Sequence, residues 1–211
     1  MARWESTLVA VFLGIAAPLT LLVVFWWLTA AIAIYGVFPL PESFIIAGAL
    51  TGLGAGIILD LFLLRRWVRR FYTVDGRFMA LLYLVWSVMA LALFMALPVG
   101  ALLLGTGAGV YVGRKERHGQ GDRAAVERSA RTVALFTAGV IGVESLLMGI
   151  LALQERFTMS WLLSAIGLAA VVGNGWMEGA FVAGSCCAIA AAQYALTRCA
   201  AIGAFRAAAF V

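Results

Sequence analysis

The sequence predicts an all-α polytopic membrane protein with six transmembrane helices and a short interfacial or re-entrant helix between the fifth and the sixth. Of the 211 residues, 64% are hydrophobic and 12% are charged. A soluble domain is roughly 45–50% apolar and about 25% charged. Several runs also exceed the roughly 18 apolar residues that indicate a membrane span. Residues 1–211 are therefore predicted to form a single transmembrane helical domain.

The first two spans follow from long apolar runs. Span one is predicted over 8–33. Its apolar run far exceeds the roughly 7–15 residues of a signal-peptide core, so we expect it to be retained as a helix. A loop with two prolines follows, and span two is predicted over 43–64, ending at the basic sequence RRWVRRFY.

Spans three and four are separated by the sequence LPVG. They are predicted over 78–97 and 99–113. One continuous helix over both would be about 54 Å long, which exceeds a hydrocarbon core of about 30 Å. Pro98 and Gly100 are therefore predicted to form a turn. The polar stretch 114–131 follows as a loop, whose second half can extend the next helix as an amphipathic segment.

The remaining chain holds two clear spans and one ambiguous segment between them. Span five is predicted over 132–153 and span six over 177–197. The segment 157–176 has an apolar part of about a dozen residues, a length that suits an interfacial or re-entrant helix better than a span. The sequence GNG at 173–175 ends this segment.

Basic residues predict the orientation and favour six spans over seven. With six spans, every Lys and Arg except Arg156 lies on one side of the membrane, whereas a seventh span over 157–176 moves Arg198 and Arg206 to the other side. Short cytoplasmic loops collect Lys and Arg. We therefore predict a multi-pass protein of the cell inner (cytoplasmic) membrane with both termini cytoplasmic.

The basic residues also predict a partner. The most clustered members of this cytoplasmic basic rim follow spans two and four: Arg65, Arg66, Arg69, Arg70, Arg114 and Lys115. Each basic residue near the surface attracts anionic lipid head groups by about 1 kcal/mol. The predicted partner is the lipid bilayer with its anionic lipids, not nucleic acid, and the alternative is a specific docking site.

Small residues four apart line one face of three spans. Span two has Gly48, Gly52 and Gly56, span four has Gly105, Gly109 and Gly113, and span six has Gly179, Ala183, Cys187, Ala191 and Ala195. In lipid, small residues allow two helix backbones to approach closely. These stripes are predicted to be helix-packing seams. The alternatives are a groove that admits a ligand, or a seam for a homo-oligomer or another membrane protein.

Glu144 interrupts the apolar sequence IGVESLLMG near the middle of span five. A carboxylate at this depth costs about 3 kcal/mol on insertion scales, and such groups usually face the bundle interior. We expect Glu144 to share an inward face with Val140, Leu147 and Leu151 and to find a polar partner or a small cavity. Two interpretations stay open: a structural hydrogen bond to a neighbouring helix, or a binding site for a solute or a proton.

Other polar residues near span ends are candidates as well. Asn174, Trp176 and Glu178 lie in the glycine-flanked sequence GNGWMEG and are candidate ligand-binding residues of a lid over an outward-facing pocket. The alternative is a loop with an interfacial tryptophan, since tryptophan favours that depth. Asp60, near the cytoplasmic end of span two, is expected to be hydrated or paired with the arginines that follow it.

The sequence contains no motif typical of catalysis or metal binding. There is no GxSxG, HExxH or phosphate-binding glycine loop in a suitable context. His118 is the only histidine and lies in a charged stretch, and Cys186, Cys187 and Cys199 have no metal-ligand spacing. We therefore expect no metal, no cofactor and no enzymatic activity.

In length, six spans, cytoplasmic termini and small-residue stripes, the chain resembles the substrate-binding S components of energy-coupling-factor transporters. The resemblance covers topology and length and includes no residue motif. It implies a small-solute binding or transport subunit whose stripes dock a partner. The alternative is a non-catalytic structural or assembly subunit of a larger membrane protein complex. An intramembrane enzyme is disfavoured because the spans contain no histidine and no recognisable nucleophile–base pair.

Overall fold

The computed structural model describes residues 3–36, 41–93, 99–154, 167 and 175–207, which are helical apart from short turns. Five helical segments of these ranges are long and apolar enough to cross a membrane: Val9–Ile34, Ser43–Thr73, Gly76–Leu93, Arg123–Gln154 and Gly175–Ala207. The all-helical class predicted from composition is confirmed. The chain divides into two compact units, Met1–Asp75 and Gly76–Val211.

The first unit is a hairpin of two long helices. Helix α1 covers Arg3–Ile34 and α2 covers Glu42–Arg70, and a short 3-10 helix at Phe71–Thr73 continues α2. Thr29 near the end of α1 lies against the first half of α2, whereas Pro18 lies against Gly56 further along α2. The two helices are therefore antiparallel.

The described part of the second unit contains four helices. They are α3 (Gly76–Leu93), α4 (Val99–His118), α5 (Arg123–Gln154) and α6 (Gly175–Ala207). Helix α6 packs extensively against both α4 and α5, while α3 lies mainly against α4. The fully buried side chains of the unit, such as Ile141 on α5 and Met89 on α3, lie where these helices meet.

Contacts along the helices of this unit fix their directions. Gly105 faces Gln193 and Gly113 faces Ala201, so α4 and α6 run parallel. Thr137 hydrogen-bonds to Thr197 whereas Gly149 faces Val182, so α5 and α6 run antiparallel. The end of α5 and the start of α6 therefore lie at the same end of the unit.

The helices extend beyond the predicted spans. The prediction of a loop over 114–131 needs correction, because most of these residues are helical. Helix α4 continues through His118 and α5 begins at Arg123, so only residues 119–122 connect them. Arg, Lys, Glu and Ala are good helix formers, and charged turns of helix can project beyond the hydrocarbon into water. Hydropathy marks where the apolar part of a helix ends, which is not where the helix ends.

Polar side chains fix the turn between α4 and α5. The Oδ1 atom of Asp122 accepts a hydrogen bond of 2.7 Å from the backbone N–H of Ala125 and so caps α5. The hydroxyl of Ser129 donates to Oε1 of Glu116 at 2.6 Å, which joins the two helices. Gln120 has a φ of 55° and adopts the left-handed conformation that reverses the chain.

The apolar part of helix α4 is short. This part, 99–113, spans about 22 Å at 1.5 Å per residue before Arg114, Lys115 and Glu116 begin the polar end of the helix. Gly100, predicted to form a turn with Pro98, lies instead in the first turn of α4. Pro98 and most of the segment predicted over 157–176 lie outside the described residues.

The glycine stripe of α2 lies against α1. A methyl group on Gly48 would meet the side chain of Thr29, one on Gly52 would meet the backbone of Leu21, and one on Gly56 would meet the backbone of Pro18. Only hydrogen fits at these three positions, which lie one helical turn apart. The first unit thus packs through close backbone contact, as small residues allow in lipid.

The glycine stripe of α4 lies against α6 in the same way. A methyl group on Gly105 would overlap the side-chain amide of Gln193, one on Gly109 would meet the backbone carbonyl of Thr197, and one on Gly113 would meet that of Ala201. Both stripes are thus occupied by another helix of the same unit.

Candidate functional site

Glu144 has a polar partner on a different helix. The hydroxyl of Ser87 on α3 donates a hydrogen bond of 2.8 Å to Oε2 of Glu144 on α5. Ser87 is completely buried and Glu144 is half-buried. A hydroxyl buried in an apolar surrounding needs such a partner, since an unsatisfied one costs about 1–3 kcal/mol. This pair forms the centre of the candidate site.

Tyr83 adds a third polar group to the same face of α3. It lies one helical turn before Ser87, and its ring stacks edge-to-face on Phe136 of α5 with centroids 5.6 Å apart. Its hydroxyl is buried and has no hydrogen-bond partner among the described residues. Tyr83, Ser87 and Glu144 are referred to below as the carboxylate site.

The carboxylate site lies in the apolar part of α5. Glu144 is about 20 Å along the helix from Arg131, the last basic residue of the polar end, and about 15 Å from the end of α5 at Gln154. A hydrocarbon core is about 30 Å thick. Glu144 therefore lies well away from both ends of this apolar part.

The inward face predicted for α5 is shifted in the structure. Leu147 and Leu151, expected to face inward with Glu144, are 56% and 54% exposed. The buried stripe of α5 consists instead of Val126, Ala130, Ala134, Thr137 and Ile141. Glu144 lies at the edge of this stripe and is half-buried.

The residues predicted to form an outer lid lie far from Glu144 along the bundle axis. Since Gly142 lies near Ala190 and Gly149 near Val182, Glu144 is level with about residue 188 of α6. Glu178 is then about 15 Å further along the axis. Trp176 is 82% exposed and Glu178 is half-buried, both in the first turn of α6. Asn174 lies outside the described residues.

A second polar cluster in the interior was missed by the sequence analysis. Gln193 donates from Nε2 to the hydroxyl of Thr197 at 3.0 Å, and Thr197 donates to the carbonyl of Gly105 at 3.1 Å. The hydroxyl of Thr137 lies 3.1 Å from that of Thr197. All three side chains are completely buried. The cluster joins α4, α5 and α6 at one level.

One atom of this cluster has no partner. The Oε1 atom of Gln193 is buried without a hydrogen bond among the described residues. A signal for the cluster was present in the sequence, because Gln193 and Thr197 are polar, lie four apart in an apolar run and share a helix face. Thr137 and the carbonyl of Gly105 join them only through the tertiary fold.

Asp60 does not form the expected pair with the arginines of α2. It is buried against α1, where Gly14 leaves room near its Oδ2 atom. Its Oδ1 atom has no hydrogen-bond partner in the described part of the chain. Arg65 and Arg66 point away as exposed side chains. Arg65 and Arg66 are five and six residues after Asp60 on a continuous helix, whereas ion pairs along a helix join residues three or four apart.

The predicted basic rim residues lie on helix ends. Arg65, Arg66, Arg69 and Arg70 are exposed in the last turns of α2. Arg114 and Lys115 are half-buried near the end of α4, and the ammonium group of Lys115 lies 5.8 Å from the ring centroid of Tyr111. Within the described ranges no cluster of three or more His, Cys, Asp or Glu side chains has metal-site geometry.

Comparison with known proteins gives no assignment. No protein-family model, no curated protein and no solved structure matches the chain.

Proposed function

We propose that the protein is a small-solute binding or transport subunit of the cytoplasmic membrane and that the carboxylate site binds the solute. The observation that carries the proposal is the hydrogen bond between Ser87 of α3 and Glu144, a carboxyl group in the apolar part of α5. Intramembrane ionisable groups are costly and usually mark ligand or ion pathways. No catalytic role is included in this proposal.

The chemistry of the carboxylate site suggests the class of solute. Ser87 occupies one carboxylate oxygen of Glu144, so the other remains to accept a hydrogen bond. The buried hydroxyl of Tyr83 can donate or accept. A small cation or a solute with an ammonium group would satisfy both. A proton carried on Glu144 is the simplest such occupant.

We also propose that the protein has six transmembrane spans and that both termini are cytoplasmic. Because α5 and α6 are antiparallel, the segment that joins them starts and finishes at one end of the second unit. A connection of this kind crosses the membrane an even number of times or not at all. With α4 counted as a short span, this supports six spans and a non-spanning segment over 157–176, and it retains the basic residues on the cytoplasmic side.

Ligand-dependent stabilisation of the purified protein tests the proposed function. A ligand that binds only the folded protein raises its stability by about 2.7 kcal/mol at a concentration of 100 Kd. We expect monovalent cations or small amines to raise the melting temperature in detergent. Glu144→Gln should abolish that rise.

Asp60→Asn is the matched control, because it also neutralises a buried carboxyl group but in the other unit. It should leave the ligand effect intact. A thermal shift that survives Glu144→Gln unchanged would contradict the proposed site.

A non-catalytic structural or assembly subunit is the second candidate. The observation that favours it is the small-residue stripe of α6, of which Ala183, Cys187, Ala191 and Ala195 are exposed. Partner proteins that co-purify in mild detergent, and that are lost when Ala191 is replaced by Leu, would favour this role over solute binding. The S components that the chain resembles in topology combine both roles, since they bind solute and dock a partner.

A further inference from the structure

A cavity at the polar end of the second unit combines arginine side chains with an apolar wall. It has a volume of about 90 Å³ and lies between the start of α5 and the end of α6. Its lining residues are Arg123, Val126, Glu127, Ile202, Phe205 and Arg206. One part of the wall is therefore charged and the other is apolar. The volume is several times what a single water molecule needs.

The charges around this cavity leave an excess of positive charge. Arg123 lies 3.4 Å from the carboxylate of Glu127, but the two side chains are 77% and 48% exposed, so solvent screens the pair. Arg206 is exposed and forms no ion pair with a described residue. The guanidinium of Arg117 on α4 lies 5.7 Å from the ring centroid of Phe205. The lining thus contains two arginines and one glutamate, and a third arginine lies beside Phe205.

The cavity lies at helix ends that extend past the apolar parts of α5 and α6. Helices α5 and α6 have 32 and 33 residues, which corresponds to about 48–50 Å. A bilayer with its head groups is about 40–45 Å thick. Arg123 is the first residue of α5, about 12 Å along the helix from Arg131, and Arg206 is next to the last of α6. When these helices cross the bilayer, the cavity therefore lies on the head-group side of the hydrocarbon.

We propose that this cavity binds the head group of an anionic phospholipid. The guanidinium groups of Arg123 and Arg206 bind the phosphate, for which the planar fork of arginine is well suited. Phe205 and Ile202 contact the glycerol and the upper part of the acyl chains. This is a defined site for one lipid molecule, and it differs from the diffuse attraction that exposed basic residues exert on a membrane surface.

Native mass spectrometry of the full chain tests the lipid site. The purified protein is equilibrated in mixed micelles with phosphatidylglycerol or, in parallel, with phosphatidylcholine, and the retained lipid molecules are counted. We expect one retained phosphatidylglycerol. The double substitution Arg123→Gln and Arg206→Gln should weaken its retention by about tenfold or more, as expected when two charge-assisted contacts are lost.

Two further variants separate the site from general charge effects. Arg128→Gln with Arg198→Gln removes one exposed arginine from each of the same two helices but none from the cavity, and it should retain the lipid. Arg123→Lys with Arg206→Lys preserves the charge and should retain most of the binding. Equal loss in the control and cavity variants, or equal retention in both, would overturn the proposal.

Inorganic phosphate distinguishes a lipid from a soluble phosphate ligand. We expect millimolar phosphate to leave the retained phosphatidylglycerol in place, because phosphate makes no contact with Phe205 or Ile202. Displacement of the lipid by phosphate at equal concentration would overturn the lipid assignment. Retention of phosphatidylcholine as strong as that of phosphatidylglycerol would also overturn it.

Discussion

The side-chain amide of Gln193 on α6 lies directly over Gly105 on α4, in the space that any side chain on residue 105 would occupy. The same amide donates to Thr197, whose hydroxyl bonds to the backbone carbonyl of Gly105. Because Gly105 has no side chain, the amide of Gln193 packs directly against the backbone of α4. The predictions for packing depend on this arrangement.

Alanine substitutions at two glycines of α4 should distinguish the effect of helix packing on stability from the effect of helix propensity. Gly109→Ala adds a methyl group against the backbone carbonyl of Thr197 and should destabilise the fold by about 1–3 kcal/mol, as overpacking does. Gly107→Ala, two residues away, meets no atom within 4 Å and should be neutral or stabilising by up to about 1 kcal/mol. Thermal unfolding in detergent measures both. Equal melting temperatures would show that the close contact is absent.

The same comparison applies to the first unit. Gly52→Ala places a methyl group on the backbone of Leu21, whereas Gly54→Ala meets no atom within 4 Å. We expect a loss of about 1–3 kcal/mol in the first variant only. The yield of monodisperse protein in size-exclusion chromatography provides a second measurement. A bulkier Gly52→Leu should reduce this yield further.

Thr197→Val should destabilise the second unit by about 1–3 kcal/mol. Valine has nearly the same shape but leaves the amide of Gln193 and the carbonyl of Gly105 without their buried partner. Thr106→Val is the matched control on α4, since its hydroxyl bonds only to the carbonyl of Leu102 in the same helix. Melting temperatures of the two variants should differ clearly. Similar values would argue against a structural role for the cluster.

Glu144→Leu should preserve the fold while removing any solute effect. Glu144 is only half-buried, and the Ser87 hydroxyl that it leaves behind can bond to a carbonyl one turn earlier in α3. We expect a change in stability below about 1 kcal/mol. Melting temperature reports the fold, and ligand-dependent shifts report the site. A large loss of stability without ligand would favour a purely structural carboxyl group.

Cysteine labelling tests the proposed orientation. In a background with Cys186, Cys187 and Cys199 replaced by alanine, Trp176→Cys and Gln120→Cys place a single thiol at opposite ends of the second unit. Both native side chains are exposed. An impermeant maleimide added to intact cells should label position 176 and not position 120. Labelling at position 120 from outside would reverse the proposed orientation.

The sequence predicted the class of the fold better than the ends of its elements. Composition and apolar runs suffice for membrane helices, because insertion into lipid depends on how apolar a run of residues is and on its length. The loop predicted over 114–131 was mainly helical, because Arg, Lys and Glu leave the hydrocarbon without leaving the helix. Hydropathy cannot distinguish these two boundaries.

The candidate site was only partly accessible from the sequence. Glu144 stood out because a carboxylate in an apolar run is rare. Ser87 and Tyr83 are ordinary residues in a membrane helix, and only the packing of α3 against α5 makes them its neighbours. The inward face assigned to Leu147 and Leu151 was wrong because helical periodicity identifies a face but not which neighbour covers it.

Glycines at every fourth position give α4 a surface that repeats after one helical turn. A partner helix with small residues at the same interval could shift by four residues, about 6 Å, and meet an equivalent surface. The bond from Thr197 to the carbonyl of Gly105 exists in only one of these alignments, and Thr137 fixes the same level from a third helix. The polar cluster thus selects one register from several that apolar packing alone would leave nearly equal in energy.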